Sequence, residues 1–252
     1  MKRVLEQVAQ AAETDSNVHI EGESGTGKEL IAKSLHLSGP RKKGPFVAIN
    51  CAAIPETLLE SELFGYKKGA FSGAVNDKKG LFVQAHNGSF FLDEISEMPL
   101  TMQSKLLRVL EEREFFPVGG HQTIKVDTRI ITASNKNLEQ EVENKNFRED
   151  LYYRIHVIRI QLSPLRDRRD DIPLLAKHFL KKYAADMKKE ITGFSSAALQ
   201  KLLRHHWPGN VRELENTIES AVAMGAGNEI GADLILPKCE ADNECIKPLK
   251  EA

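Results

Sequence analysis

Apolar positions in the first two thirds of the chain switch repeatedly between a period of two and a period near 3.6. Residues 1–14 repeat apolar positions at helical spacing and stop at the polar Asp15-Ser16-Asn17. Val18-His19-Ile20-Glu21 alternates as a strand does, and after a glycine-rich loop Glu29 to Leu37 predicts a helix. Pro40 and Arg41-Lys42-Lys43-Gly44-Pro45 predict a basic loop. A second strand follows at Phe46-Val47-Ala48-Ile49, a helix over Pro55 to Phe64, and a strand buried on both faces over Ser89 to Leu92. A helix over Gln103 to Glu112, a β-hairpin over Phe115 to Val126 turning at Gly119-Gly120, and strands over Thr128 to Ala133 and Val157 to Leu162 complete this region. Strands alternating with helices predict a parallel sheet sandwiched by helices, an α/β fold.

After Pro164 the strand signal stops. Residues 170–189, 195–206 and 210–225 carry helical patterns, a small C-terminal α-helical domain. The division expected is an α/β domain over 1–167, a helical lid over 168–237, and a charged tail over 238–252, expected to be linker or disordered. Cys239 and Cys245 in that tail match no familiar zinc spacing.

Composition narrows the class without naming it. Hydrophobic residues at 41% and charged residues at 28% are globular values. Net charge is −1, and no basic stripe of the kind a free-standing DNA-binding domain normally shows stands out. No apolar run approaches the ~20 residues that span a bilayer, so no membrane association is expected. Three cysteines fit a reducing, cytoplasmic setting better than a disulfide framework.

Chemistry enters at Gly22-Glu23-Ser24-Gly25-Thr26-Gly27-Lys28. Two glycines five apart and a following lysine, set between a strand and a helix, predict a phosphate loop. Backbone N–H groups there cradle phosphate oxygens, and Lys28 reaches the β and γ phosphates of ATP. Asp93 and Glu94 emerge at the carboxyl end of an apolar strand, where an open parallel sheet binds its ligands. Asp93 is the candidate magnesium ligand and Glu94 the candidate base for the attacking water. The plainer alternative is a pair of solvated acids capping the next helix.

Between these motifs lies Gly69-Ala70-Phe71-Ser72-Gly73-Ala74, after Glu62-Leu63-Phe64-Gly65. A lone aromatic among small residues is either packed beneath a neighbour or offered to a partner. The motif order resembles the central AAA+ domain of bacterial enhancer-binding proteins, the activators of sigma-54 RNA polymerase. Their insert usually has threonine where this chain has Ser72. Their phosphate loop commonly carries glutamate where Glu29 stands, in place of the usual Ser or Thr.

The resemblance implies an AAA+ fold and an ATPase that converts sigma-54 polymerase from closed to open promoter complexes, with the Phe71 loop gripping sigma-54. It implies that Asn50 bonds the catalytic Glu94, although a turn asparagine is an equal alternative, and that Asn135 senses the γ-phosphate. Phe147-Arg148-Glu149-Asp150-Leu151-Tyr152-Tyr153-Arg154 resembles the arginine-finger segment. On one helix Arg148 and Arg154 would lie ~120° apart, which suits a subunit interface. The expected assembly is a ring, a hexamer by resemblance. The alternative is a charged helix face paired with Glu149 and Asp150. In Trp207-Pro208-Gly209-Asn210-Val211-Arg212-Glu213-Leu214 the resemblance makes Arg212 the second sensor, against a surface ion pair with Glu215 or Glu219. It also implies that DNA recognition and signal input lie in domains outside this chain. Two rivals remain, an AAA+ motor with another protein client and a nucleotide-binding switch without turnover.

Overall fold

A computed structural model of the chain describes residues 2–235. The chain separates into two compact units, with the boundary between Asp167 and Arg168. The first carries five parallel strands, β1 (Val18–Glu21), β2 (Phe46–Asn50), β3 (Ser89–Asp93), β4 (Arg129–Ser134) and β5 (Ile158–Gln161), in the order β2-β3-β4-β1-β5. Each lies within a residue or so of its predicted range.

Side-chain alternation along β3 and β4 divides the core into two layers. Phe90, Leu92 and Ile130 point to one face, where they join Ile49 with Leu59 and Leu63 of the Glu56–Phe64 helix and Leu106 of the Leu100–Glu112 helix. Phe91 and Ile131 point to the other, with Val18 and Ile20 of β1, Val8 of the Lys2–Ala12 helix and Leu35 of the Lys28–Ser38 helix. Burial on both faces explains why β3 and β4 read as nearly continuous apolar runs. The architecture is the expected α/β arrangement of a parallel sheet sandwiched by helices.

The expected hairpin is shorter than the sequence suggested. Its ladder is limited to Glu114–Phe115 against Ile124–Lys125. Residues 116–123 form a loop whose turn is closed by Gly120 N donating to Pro117 O at 2.9 Å, with Gly119 at φ +71°. The loop cannot extend the ladder because Val118 pairs elsewhere, with Gly65, Tyr66 and Lys67 at the base of the insert.

The second unit contains the helices Asp171–Asp186, Ser196–Arg204 and Asn210–Met224. Ser195 Oγ caps the middle helix by accepting from Ala198 N. Lys189 Nζ donates to the carbonyls of Val222, Ala223 and Gly225, which satisfies the end of the last helix. A two-residue parallel pair, Gly193–Phe194 with Glu229–Ile230, is a strand contact that the sequence did not reveal. The tail expectation over 238–252 lies outside the described residues. No helix among the described residues is long and apolar enough to cross a membrane.

Candidate nucleotide and partner site

The phosphate loop leaves the carboxyl end of β1. Gly25 and Gly27 sit at φ +76° and +100°, a left-handed backbone that a side chain would strain. Gly22 N donates to Ser134 O at 3.2 Å, tying the loop to the end of β4. Thr26 Oγ1 donates to Glu23 O at 2.8 Å and closes the loop's first corner. Lys28, buried at the start of its helix, donates to Gly22 O at 3.0 Å and lies 3.4 Å from Glu94 Oε1.

Glu94 is the junction of the site. It leaves β3 in a left-handed conformation, φ +49°, and its second oxygen, Oε2, accepts from Asn135 N at 3.1 Å. The carboxylate is thereby held between the lysine that follows β1 and the main chain that follows β4. Asp93 Oδ1 accepts from Glu94 N at 3.0 Å. Burial raises the Asp93 pKa, the Glu94 charge adds to the rise, and Lys28 partly opposes it. Burial also pushes the neighbouring Cys51 thiol up to about 12, with the Asp93 and Glu94 charges adding to the effect. Crowded negative charge at a strand end beside a cationic cradle suits a cation bound with phosphate.

One expected contact is not formed, and two further expected residues have defined partners. Asn50 lies opposite Asp93 in the sheet register, but its Oδ1 accepts from Ala52 N at 2.9 Å and caps the turn Cys51–Ala53. The partners of Glu94 are Lys28 and Asn135 instead. Asn135 meets Glu94 through its main-chain amide, not through its side chain. The Glu29 carboxylate turns outward to Lys33 at 2.7 Å.

Arg148 and Arg154 do not share a helix. The helix is Glu149–Ile155, and Arg148 is its extended N-cap residue, so the helical angle between them does not apply. Arg148 makes a two-bond pair with Asp150 and donates to Ser104 Oγ, while Arg154 donates to Leu110 O at 2.8 Å. Among the described residues, neither is paired with Glu94. Arg212, in the second unit, stands in the first turn of the Asn210–Met224 helix.

The insert Gly69–Ala74 is a chain of turns, with Gly69 N donating to Ala74 O and Ala74 N to Phe71 O. Its ends are anchored by buried Leu63, Phe64 and Phe82, the last two stacked at 5.6 Å between centroids. Gly65–Tyr66 pairs antiparallel with Lys78–Lys79 below it. Phe71 remains 45% exposed and rests edge-on against Tyr66, centroids 4.9 Å apart. One edge of Phe71 is therefore packed while the rest faces solvent. The insert also leans on the 116–123 loop, where a side chain on Gly119 would come within 2.7 Å of Ala70 Cβ. The Tyr66 platform and the Val118 strut were missed in the sequence, because neither contact is local.

A parallel sheet with a phosphate loop after β1, an acidic end on β3 and a separate helical unit defines an AAA+ nucleotide-binding protein. Residues 1–161 match the Sigma-54 interaction domain family, and residues 166–251 match the AAA+ ATPase lid domain family. The chain belongs to the sigma-54 interaction domain family. It is 50% identical over 256 residues to the regulatory protein AtoC of Escherichia coli (strain K12), covering 100% of this chain and 56% of that one. It is 52% identical over 230 residues to a Nif-specific regulatory protein of Herbaspirillum seropedicae, covering 91% and 42%. Among solved structures, NtrX from Brucella abortus in complex with ATP is similar with a TM-score of 0.87 and 37% identity, covering 93% of this chain and 52% of that one. The chain spans about half the length of these relatives.

Proposed function

We propose that this chain is an ATP-hydrolysing remodeller that drives sigma-54 RNA polymerase from closed to open promoter complexes. The observation that carries the ATPase reading is Glu94, held between Lys28 Nζ and the Asn135 amide at the ends of three adjacent strands. Residues 22–28 bind the triphosphate, and Glu94 orients the attacking water and takes its proton. Asp93 would hold a magnesium ion, which when bound would offset phosphate charge.

Arg148 and Arg154 would reach a neighbouring copy's phosphates only by leaving their present partners, and the working form is a ring, six-membered by family resemblance. Arg212 reports the nucleotide state to the helical unit, and Asn135 links that state to Glu94. The half-exposed Phe71 is the contact with sigma-54, and movement of the insert on Tyr66 and Val118 delivers it. Promoter DNA is recognised by a domain other than these two units, and the chain acts in the cytoplasm.

The test is binding to purified sigma-54 with the protein trapped by ADP and a metal fluoride. Phe71→Ala should retain ATP hydrolysis and lose that binding. Glu94→Gln should bind nucleotide and lose more than about 100-fold in turnover. Binding of sigma-54 by Phe71→Ala at wild-type strength would overturn the partner reading. Turnover persisting in Glu94→Gln would overturn the catalytic one.

A further inference from the structure

Three consecutive residues enter the phosphate loop, Glu21, Gly22 and Glu23, and each meets the same stretch of chain just after β5. Leu162 N donates to Glu21 O at 2.7 Å. A side chain on Gly22 would meet Leu162 Cβ at 3.0 Å and Leu162 O at 3.1 Å, so the two backbones are in close contact. Arg166, in the turn Leu165–Asp167, then sets its guanidinium against the Glu23 carboxylate, with Nη1 2.8 Å from Oε2 and Nη2 2.5 Å from Oε1. Each carboxylate oxygen receives its own donor, a parallel geometry that lysine cannot supply. The Glu23 carbonyl meanwhile accepts from Thr26 N and Thr26 Oγ1. The first corner of the loop is held by Thr26 from within and by Arg166 from the side.

The charge of Glu23 gives this pair a role beyond holding shape. A carboxylate at the second position of a phosphate cradle repels the ligand that the cradle exists to hold. Asp93 and Glu94 already crowd the site with negative charge beside Lys28, and a bare Glu23 would add to it. We propose that Arg166 is a positioning residue for nucleotide binding, neutralising Glu23 and fixing the loop in its phosphate-binding shape. The proposal rests on residues 22–28 being a nucleotide site. The pair is only half-buried, with side-chain exposures of 39% and 42%, so it contributes little to folding. Its effect belongs in affinity.

The test is titration of a fluorescent ADP analogue into wild type, Arg166→Ala, Arg166→Lys, Glu23→Gln and the double variant Glu23→Gln/Arg166→Ala, with thermal melts without nucleotide alongside. Arg166→Ala should weaken binding by about tenfold with little change in melting. Arg166→Lys, which keeps charge but loses the second bond, should fall between the two. The double variant should bind more tightly than Arg166→Ala alone, because the repelling charge is gone. Arg166→Ala binding within about twofold of wild type, or a double variant that shows the product of the two single losses, would overturn the proposal. If Arg166→Ala does not fold, Arg166→Lys against Glu23→Gln/Arg166→Lys makes the same comparison. A wild type that binds no analogue would refute the nucleotide reading itself, and the role of Arg166 with it.

Discussion

His19 predicts a pH dependence of stability whose size follows from its surroundings. It lies fully buried in the middle of β1, with Nδ1 2.8 Å from Thr132 Oγ1 and no hydrogen-bond partner for Nε2 among the described residues. Burial pushes its pKa down from 6.5 to about 3, and the positive charges of His156, Arg159 and Lys28 add to the fall. The Glu21 oxygen 3.8 Å from Nε2 is Oε1, which also lies 3.5 Å from His156 Nε2, while both Arg159 bonds go to Oε2. The folded chain thus keeps His19 neutral down to about pH 3, whereas the unfolded chain takes up the proton near pH 6.5. Between those values the unfolded state binds more protons, so stability is full above pH 6.5 and declines as pH falls. At 1.36 kcal/mol per pKa unit the whole effect is about 5 kcal/mol, of which about 2 kcal/mol is lost between pH 7 and pH 5. Two compact units need not unfold together. The appropriate assay is therefore hydrogen exchange of β1 and β4 amides in rising urea, at both pH values, in wild type and His19→Gln. The variant should lose less stability than wild type over this interval, by about 2 kcal/mol. Equal losses within about 0.5 kcal/mol would show that His19 is not held neutral and would refute the reasoning.

Gly27→Ala should weaken nucleotide binding by at least about tenfold, because φ is +100° and an alanine there distorts the cradle. A Cβ at Gly27 meets nothing within 4 Å, so the cost is backbone strain alone, about 1–2 kcal/mol, which should also lower the melting temperature without nucleotide, and titration of a fluorescent nucleotide checks the first effect. Trp207→Ala should destabilise the helical unit by about 3–5 kcal/mol, since the side chain is fully buried and its indole donates to Leu202 O at 2.9 Å. Urea unfolding followed by circular dichroism measures this, and a loss under about 1 kcal/mol would contradict the packing argument.

The parts of the fold most legible in the sequence were those whose burial follows their own periodicity. The five sheet strands and the long helices fall into this class, as in the Leu100–Glu112 helix, which begins only three residues before its predicted start. The four-residue helical turn Leu81–Gln84 is too short to show a period. The hairpin was overextended because Gly119-Gly120 suggested a tight turn, while Val118 is claimed by Gly65 and Tyr66, fifty residues earlier in the chain. Arg148 looked helical beside Glu149 and Asp150, yet its backbone is extended and its side chain returns to Asp150.

At the site, the sequence by itself determined the phosphate loop, the acidic strand end and the insert, because each is a contiguous run whose chemistry is local. Family membership follows from the same runs. Tertiary structure alone decided which of these groups meet. Lys28 and Glu94 are 66 residues apart, Glu94 and Asn135 are 41 apart, and Glu23 and Arg166 are 143 apart. They converge because the strand order sets β1 beside β4 and β5, and β4 beside β3, bringing their carboxyl ends together. Periodicity tells a strand which face to bury, but not which neighbour to take. That choice is made by the packing of both layers at once.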